Sequence, residues 1–315
     1  PIRTTENVTL VPSWVVRSDT EKPVGQWKTF VNAQSGEIIA IENLVRFSIM
    51  EGSHPERTVG DSVIVSPLPN LYVSDNSSTT TTDENGLFVL DQNNREAVLE
   101  GPWLEVRNSD GPEAEISFSG DGFFDDSDAT QAEISTFVFL NHVRDWAVEV
   151  APEVSMSNVQ IRSSVNVDGS CNAYFDGNVS FYRSGSGCNN TGLIADVNYH
   201  EWGHGFHYYS IQSGNYDGSV GEGAADVISF TLTGDPEIGP GFFTSGGGIR
   251  EHETNKVYPG DYVNSNDYVH SNGLIFGGAM WDLWQILQSE LGEEEGTHQL
   301  EQIFSGLLKG GPDVE

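Results

Sequence analysis

Residues 192–210 read GLIADVNYHEWGHGFHYYS. His200 and His204 stand four apart, so on a helix both imidazoles project from one face toward a single cation, and Glu201 between them points at a water on that cation. Asp196, Val197 and Tyr199 precede the pair and Phe206, Tyr208 and Tyr209 follow it, giving the helix an apolar side able to lie in a core. A zinc ion that keeps a reactive position open needs a third protein ligand. That ligand must come from elsewhere in the chain.

A histidine at position 210, with glycine at 207, would give the metzincin arrangement, but Ser210 and His207 stand there. His207 as a fourth imidazole would close the open position, so it reads as packing or as support for the site. Glu222 lies in GSVGEGAADVISF, residues 218–230, a second helical stretch with Ala224, Ala225, Val227 and Ile228 on its packed side. The gap from His204 is long enough for this helix to return and deliver Glu222. Asp226, one turn on, is placed to accept a hydrogen bond from the remote nitrogen of a histidine and fix its tautomer.

HEWGH followed by GEGAAD resembles the gluzincin metallopeptidases, the thermolysin and fungalysin superfamily. The resemblance implies that His200, His204 and Glu222 bind Zn2+, that Glu201 is the general base, and that Asp226 supports the site. YVHSNGLIFGGAMWDLWQI, residues 268–286, is similar to the Val-His-x-Asn segment of thermolysin relatives that leads into a helix. It implies that His270 donates a hydrogen bond to the oxyanion and that Asn272 shapes the turn. Those relatives carry an oxyanion tyrosine about nine residues before the third ligand, where this chain has Ser213. Tyr216 is a candidate substitute, with Tyr262 and Tyr268 as alternatives. The 111 residues beyond His204 are fewer than a full C-terminal lobe of that family, so the lobe is expected to be reduced or the precursor to continue.

Upstream, SWVVR (13–17), QWKTFV (26–31) and IIAI (38–41) read as an antiparallel meander over a domain at 1–50. The order WVV, WKTFVNAQSGEIIA resembles the end of the prosegments that precede secreted thermolysin-type and fungalysin-type peptidases, with an ordinary meander as the alternative. Residues 56–120 carry short apolar segments punctuated by Gly, Asp and Asn, which argue for an all-β module. TDENGLFVL and the Gly101-Pro102 step into WLEV resemble the β-sandwich attached to such peptidases and imply an accessory role. GDGFFDDSDA (120–129) marks a junction. Asp121, Asp125, Asp126 and Asp128 are candidate Ca2+ ligands outside the EF-hand spacing, with a solvated acidic loop as the alternative. A catalytic domain is expected over 122–315, opened by a helix with Ile134, Phe137, Val138, Val143 and Trp146 on its buried side. The expected fold is therefore multidomain α+β: a meander, a sandwich-like module, and a zincin domain in which β-structure precedes the active-site helices.

Composition narrows the function. Fourteen Lys plus Arg against forty-seven Asp plus Glu give a net charge of −33, which repels nucleic acid. No run is long and apolar enough to span a membrane. The start, PIRTTENVTL, lacks a signal peptide's basic and apolar regions, so any targeting segment is expected to have been removed or to lie outside this stretch. Cys171 and Cys188, the two cysteines, read as a local disulfide in a secreted, extracellular protein. The sequons at Asn7, Asn76, Asn178 and Asn189 are surface signals only. LIFGGAMWDLW (274–284) offers apolar wall for a substrate pocket or simply a buried helix. TSGGGIR (244–250) reads as a loop near the cleft, with Arg250 in a surface salt bridge or on a substrate carbonyl. Together these features point to a monomeric zinc endopeptidase, a zymogen if residues 1–50 persist, acting on proteins or peptides. The alternative is an inactive or latent zinc-containing adhesion or binding protein.

Overall fold

The computed structural model describes residues 11–21, 24–45, 47–90 and 94–313. The PIRTTENVTL start and its Asn7 sequon lie outside the described residues. The chain divides into two compact units, residues 1–48 and 49–315.

The first unit is a three-stranded antiparallel sheet of β1 (Ser13–Glu21), β2 (Val24–Asn32) and β3 (Ile38–Asn43), with β2 central. Trp14 pairs with Val31, and Phe30 with Ala40. The NAQSG turn closes the second hairpin because Asn32 Oδ1 accepts from the backbone N–H groups of Gln34 and Ser35, and Gly36 takes the left-handed φ of +76°. The three apolar runs of the sequence fall on these three strands.

The second unit opens with β4 (Ser48–Pro55), β5 (Val63–Pro67), β6 (Tyr72–Asp75), β7 (Thr79–Thr81), β8 (Leu87–Phe88), β9 (Arg95–Val98), β10 (Leu104–Asn108), β11 (Glu115–Phe118) and β12 (Gly122–Phe124). Helix α1 (Gln131–Val150) follows, then β13 (Ile161–Val167), β14 (Ala173–Phe175) and β15 (Val179–Tyr182). Helices α2 (Ala195–Ser210) and α3 (Gly218–Thr233) come next, then the short pair β16 (Glu237–Ile238) and β17 (Arg250–Glu251), and finally α4 (Val269–Leu291) and α5 (Glu293–Lys309). Three four-membered groupings result: β12-β4-β5 with β8 on β4, β11-β9-β6-β7, and β10-β13-β15-β14.

The last sheet corrects the expected boundary between 56–120 and 122–315. β10 pairs in parallel with β13, so α1 is the crossover between two strands of one sheet, and β12 pairs in parallel with β4. A parallel pair needs such a connection, and local periodicity carries no trace of it. Residues 56–120 are thus part of the same compact unit as the helices, not a separate sandwich.

Helix α1 starts at a capping box in which Glu133 N–H donates to Thr130 Oγ1 and Thr130 N–H to Glu133 Oε2, at 3.4 and 2.7 Å. Its inner face buries Ile134, Phe137 and Val143, while Val138 and Trp146 are half-buried against the same core. Helix α2 runs through the centre of the unit. Trp202 stacks on Phe206 at 5.8 Å, and Phe206 meets Trp146. Helix α3 begins at Asp217, whose side chain accepts from Val220 N–H, and stops at Gly234 in the left-handed conformation. It packs on both α2 and α4. Small residues set these crossings: a Cβ on Gly223 would meet Gly273 O at 2.5 Å, and one on Gly203 would meet Ala225 Cα at 3.0 Å. The close approach brings the first turns of α3 and α4 side by side.

Candidate active site

Helices α2 and α3 place three side chains about one point. His200 Nε2 lies 3.0 Å from His204 Nε2 and 3.4 Å from Glu222 Oε2, and His204 Nε2 lies 3.8 Å from Glu222 Oε1. Among the described residues this is the one group of three or more metal-ligating side chains whose donor atoms come within 4.8 Å of one another. Tetrahedral zinc, with bonds near 2.0–2.2 Å, separates its ligand atoms by about 3.3 Å, so the trio fits that ion. A further sign is Glu222 Oε2, which is buried and accepts no hydrogen bond, although His270 Nε2 and Arg250 Nη2 lie at 3.3 and 3.6 Å.

Asp226 orients the cluster. Its carboxylate can only accept, so His200 Nδ1 at 2.8 Å is the donor and His200 Nε2 keeps its lone pair for the cation. The same carboxylate accepts from Arg250 Nε at 2.6 Å, Arg250 Nη2 at 2.8 Å and His252 Nε2 at 3.0 Å. Burial alone would raise the Asp226 pKa; the charges of Arg250 and His200 and these hydrogen bonds hold it well below the usual carboxylate range. Burial would likewise lower His200, but Asp226 and Glu222 outweigh it and carry it up to about 10. For His204 burial and the neighbouring His200 charge act together, and its pKa falls to about 3. Glu222, raised by burial but surrounded by His200, His204 and Arg250, is held near 2. Glu222 and Asp226 thus stay ionised beside the two imidazoles.

Glu201 is 7% exposed and opens onto the same cleft, where burial pushes its pKa up to about 7. The cleft, about 890 Å³, also takes in His270, Ser271 and Leu274 from the start of α4, Tyr208 and Tyr216, and residues 171–175. His270 is largely exposed. Asn272 is buried and ties α4 to the preceding loop, accepting from Val263 N–H and donating to Val263 O. Of the three tyrosines considered from sequence, Tyr216 lines the cleft; its ring lies 4.9 Å from His207, and burial followed by the Glu222 charge raises its pKa to about 12. His207 is buried with no hydrogen bond at either ring nitrogen, so it packs. The disulfide Cys171–Cys188 is formed.

Three expectations change. Arg250 is no surface residue: its side chain is 11% exposed and locked on Asp226. The apolar wall comes from Val197, Ile238, Phe242, Phe243 and Ile249, while of 274–284 only Leu274 reaches the cleft, because Ile275, Met280, Trp281 and Trp284 are buried in the core. The four aspartates do not gather for calcium. Asp121 accepts from Ile49 N–H on β4, Asp125 from Ser127 N–H in its own turn, and Asp126 from the Gln131 side chain at the start of α1, so these three turn to different partners. His252 was not singled out from sequence, and its position in REHE carries no spacing signal that would have found it.

Residues 69–208 match the family model described as thermolysin metallopeptidase, catalytic domain. The match ends just after the paired histidines, so Glu222, Asp226, Arg250 and His270 rest on the geometry above. No curated protein matches the chain. Among solved structures, a similar one is the precursor of protealysin, a metalloproteinase from Serratia proteamaculans, at 14% identity, covering 65% of this chain and 86% of that chain with a TM-score of 0.47. Residues 69–208, somewhat under half of the chain, are thus similar to the catalytic domain of the thermolysin metallopeptidases.

Proposed function

We propose that the chain is a zinc-dependent endopeptidase that cuts proteins or peptides outside the cell, with residues 1–50 as a retained prosegment. The observation that carries the reading is the convergence of two imidazole nitrogens and the hydrogen-bond-free Glu222 oxygen beside a buried Glu201 at the floor of an open cleft. His200, His204 and Glu222 would hold the zinc, and zinc, when bound, polarises water and carbonyl oxygen. Glu201 takes a proton from the attacking water on its carboxylate and passes it to the leaving amine. A base with a pKa raised by burial suits that exchange near neutral pH. His270 Nε2 and the Tyr216 hydroxyl are donors facing the cleft, suited to the negative charge that develops on the carbonyl oxygen.

Substrate enters along β14, the terminal strand of its sheet, which lines the cleft and offers its edge to an extended peptide. Arg250, fixed by Asp226, presents a guanidinium at the cleft wall for a peptide carbonyl. The disulfide and the high acidic charge fit an extracellular protein, and no helix among the described residues is long and apolar enough to cross a membrane.

The test is zinc content together with casein hydrolysis for the wild-type protein and Glu201→Gln. The wild-type protein should bind zinc stoichiometrically and lose hydrolysis to a chelator; Glu201→Gln should keep the zinc and lose about 10²–10⁴-fold in rate. Zinc bound by a wild-type protein that leaves casein intact would instead make this a structural metal site.

A further inference from the structure

The glycine-rich segment behind the apolar wall is closed on itself by a few backbone bonds, Phe242 N–H to Gly239 O and Gly246 N–H to Phe243 O. Gly239, Gly241, Gly246 and Gly247 all take left-handed φ values between +70° and +92°, and few backbone preferences constrain such a run. On one side it is tied to residues 187–189: Asn189 Nδ2 donates to Gly241 O, Asn189 N–H to Phe242 O, and Thr244 N–H and Oγ1 to Gly187 O. At the other end stands Arg57, in the loop between β4 and β5, more than 130 residues away in sequence.

One guanidinium there joins three pieces of chain. Arg57 Nε and Nη2 donate to the two oxygens of Asp196, in the first turn of α2, at 3.0 and 2.8 Å. Nη1 donates to Asp235 Oδ2 at 2.7 Å, just past the end of α3, and Nη2 reaches Glu237 O, in β16, at 3.4 Å. Asp235 Oδ1 in turn accepts from Glu237 N–H. The backbone of the same loop adds to the clamp: Arg57 O accepts from Ala195 N–H at the uncapped start of α2, and Thr58 Oγ1 donates to Pro240 O. From β16 the connection runs on into the cleft, since Ile238 is in the wall and pairs with Arg250. Arg57 itself does not line the cleft.

We infer that Arg57 is a positioning residue for substrate selection, fixing β16 and the 238–242 turn against α2 so that the wall keeps the shape that seats an apolar side chain. The inference rests on the peptidase reading. The planar fork explains the residue type, because lysine's point charge cannot hold Asp196 through two parallel bonds while reaching Asp235.

The test uses the full chain with Arg57→Met, Arg57→Lys and Asp235→Asn. Asp235→Asn keeps the acceptor for Glu237 N–H but puts an amide against the guanidinium, and it leaves the buried Asp196 pair intact, so it stays informative if Arg57→Met fails to fold. Two readouts are taken: kcat and KM on peptides carrying Leu or Ala at each residue flanking the cut bond, and amide hydrogen exchange over 237–250 against 219–230. Asp235→Asn should lower the Leu-over-Ala preference roughly threefold and Arg57→Met roughly tenfold, through KM on the Leu peptide, with Arg57→Lys between them. Exchange should quicken over 237–250 and stay unchanged over 219–230. Unaltered preference and unaltered exchange in Asp235→Asn and Arg57→Lys overturn the inference, as does an equal loss of kcat on both peptides. A wild-type protein that cuts neither peptide defeats the peptidase reading alone, and the exchange measurement, which needs no turnover, still decides the clamp.

Discussion

Asp196 on α2 and Asp226 on α3 are both fully buried, yet their surroundings are opposite. Asp226 is one anion held by three cationic or donor side chains, His200, Arg250 and His252. Around Asp196 the pattern inverts: one cation, Arg57, is shared by two anions, Asp196 and Asp235. Burial pushes both carboxyls up, and a single shared guanidinium does not overcome it at Asp196, whose pKa rises; at Asp226 the surrounding charges win. Arg57, lowered by burial but flanked by two carboxylates, is raised in turn. With burial pushing both the same way, the number of opposing charges decides the sign. In a chain with 14 basic residues against 47 acidic ones, one scarce cation, Arg250, lies in the cleft wall and another, Arg57, ties down the chain behind it.

The comparison predicts unequal damage. Asp226→Ala leaves Arg250 and His252 buried without their anion and His200 without the acceptor that fixes its tautomer. Such loss of one partner costs about 3–5 kcal/mol, and zinc affinity should fall by about 10–100-fold; urea unfolding and zinc titration measure the two. Asp226→Asn, which keeps an acceptor oxygen, should recover part of the affinity. Asp196→Ala is milder. Arg57 retains Asp235 and its side chain is 24% exposed, so water can replace the missing bonds, and the loss should be about 1–3 kcal/mol with zinc affinity within a few-fold of wild type. If Asp196→Ala destabilises more than Asp226→Ala, partner number does not rank these sites.

What sequence could show follows the same division between local and distant. His200, Glu201 and His204 lie within one helical turn, and Glu222 and Asp226 within another, so spacing alone put each set on one face. That α3 comes beside α2 was a matter of chain length and of the resemblance, and the glycines at 203, 223 and 273 give the packing reason. Arg57 and His252 were invisible because their partners are fixed only once β4, α2, α3 and β16 have assembled. Arg250 was visible but misplaced: a flexible-looking TSGGGIR says nothing of the β16–β17 pairing that turns its last residue inward. The boundary at 120–122 failed for a related reason, since an acidic, glycine-containing break in composition also occurs at a turn between strands of one unit. The 121–128 aspartates stand close in sequence, yet Asp121, Asp125 and Asp126 turn to different partners, Ile49, Ser127 and Gln131.

His207 extends the series to a buried ionisable group with no partner at all. Burial lowers its pKa to about 4, against a modest opposing pull from Asp217. The unfolded chain, with histidine near 6.5, therefore binds a proton that the folded chain refuses between pH 6.5 and 4. Stability from this residue is fully present above pH 6.5 and drains away as pH falls through that window, by up to about 3 kcal/mol, and then levels off below pH 4. His207→Phe keeps an aromatic ring against Tyr216 and removes the proton site. The difference in unfolding free energy between the two proteins, followed by urea titration from pH 7 to pH 4, should move in favour of the variant as acid is added, while effects common to both, such as acid release of bound metal, cancel. A constant difference across that range would mean that His207 finds a partner for its proton, and the unpaired end of the series would be lost.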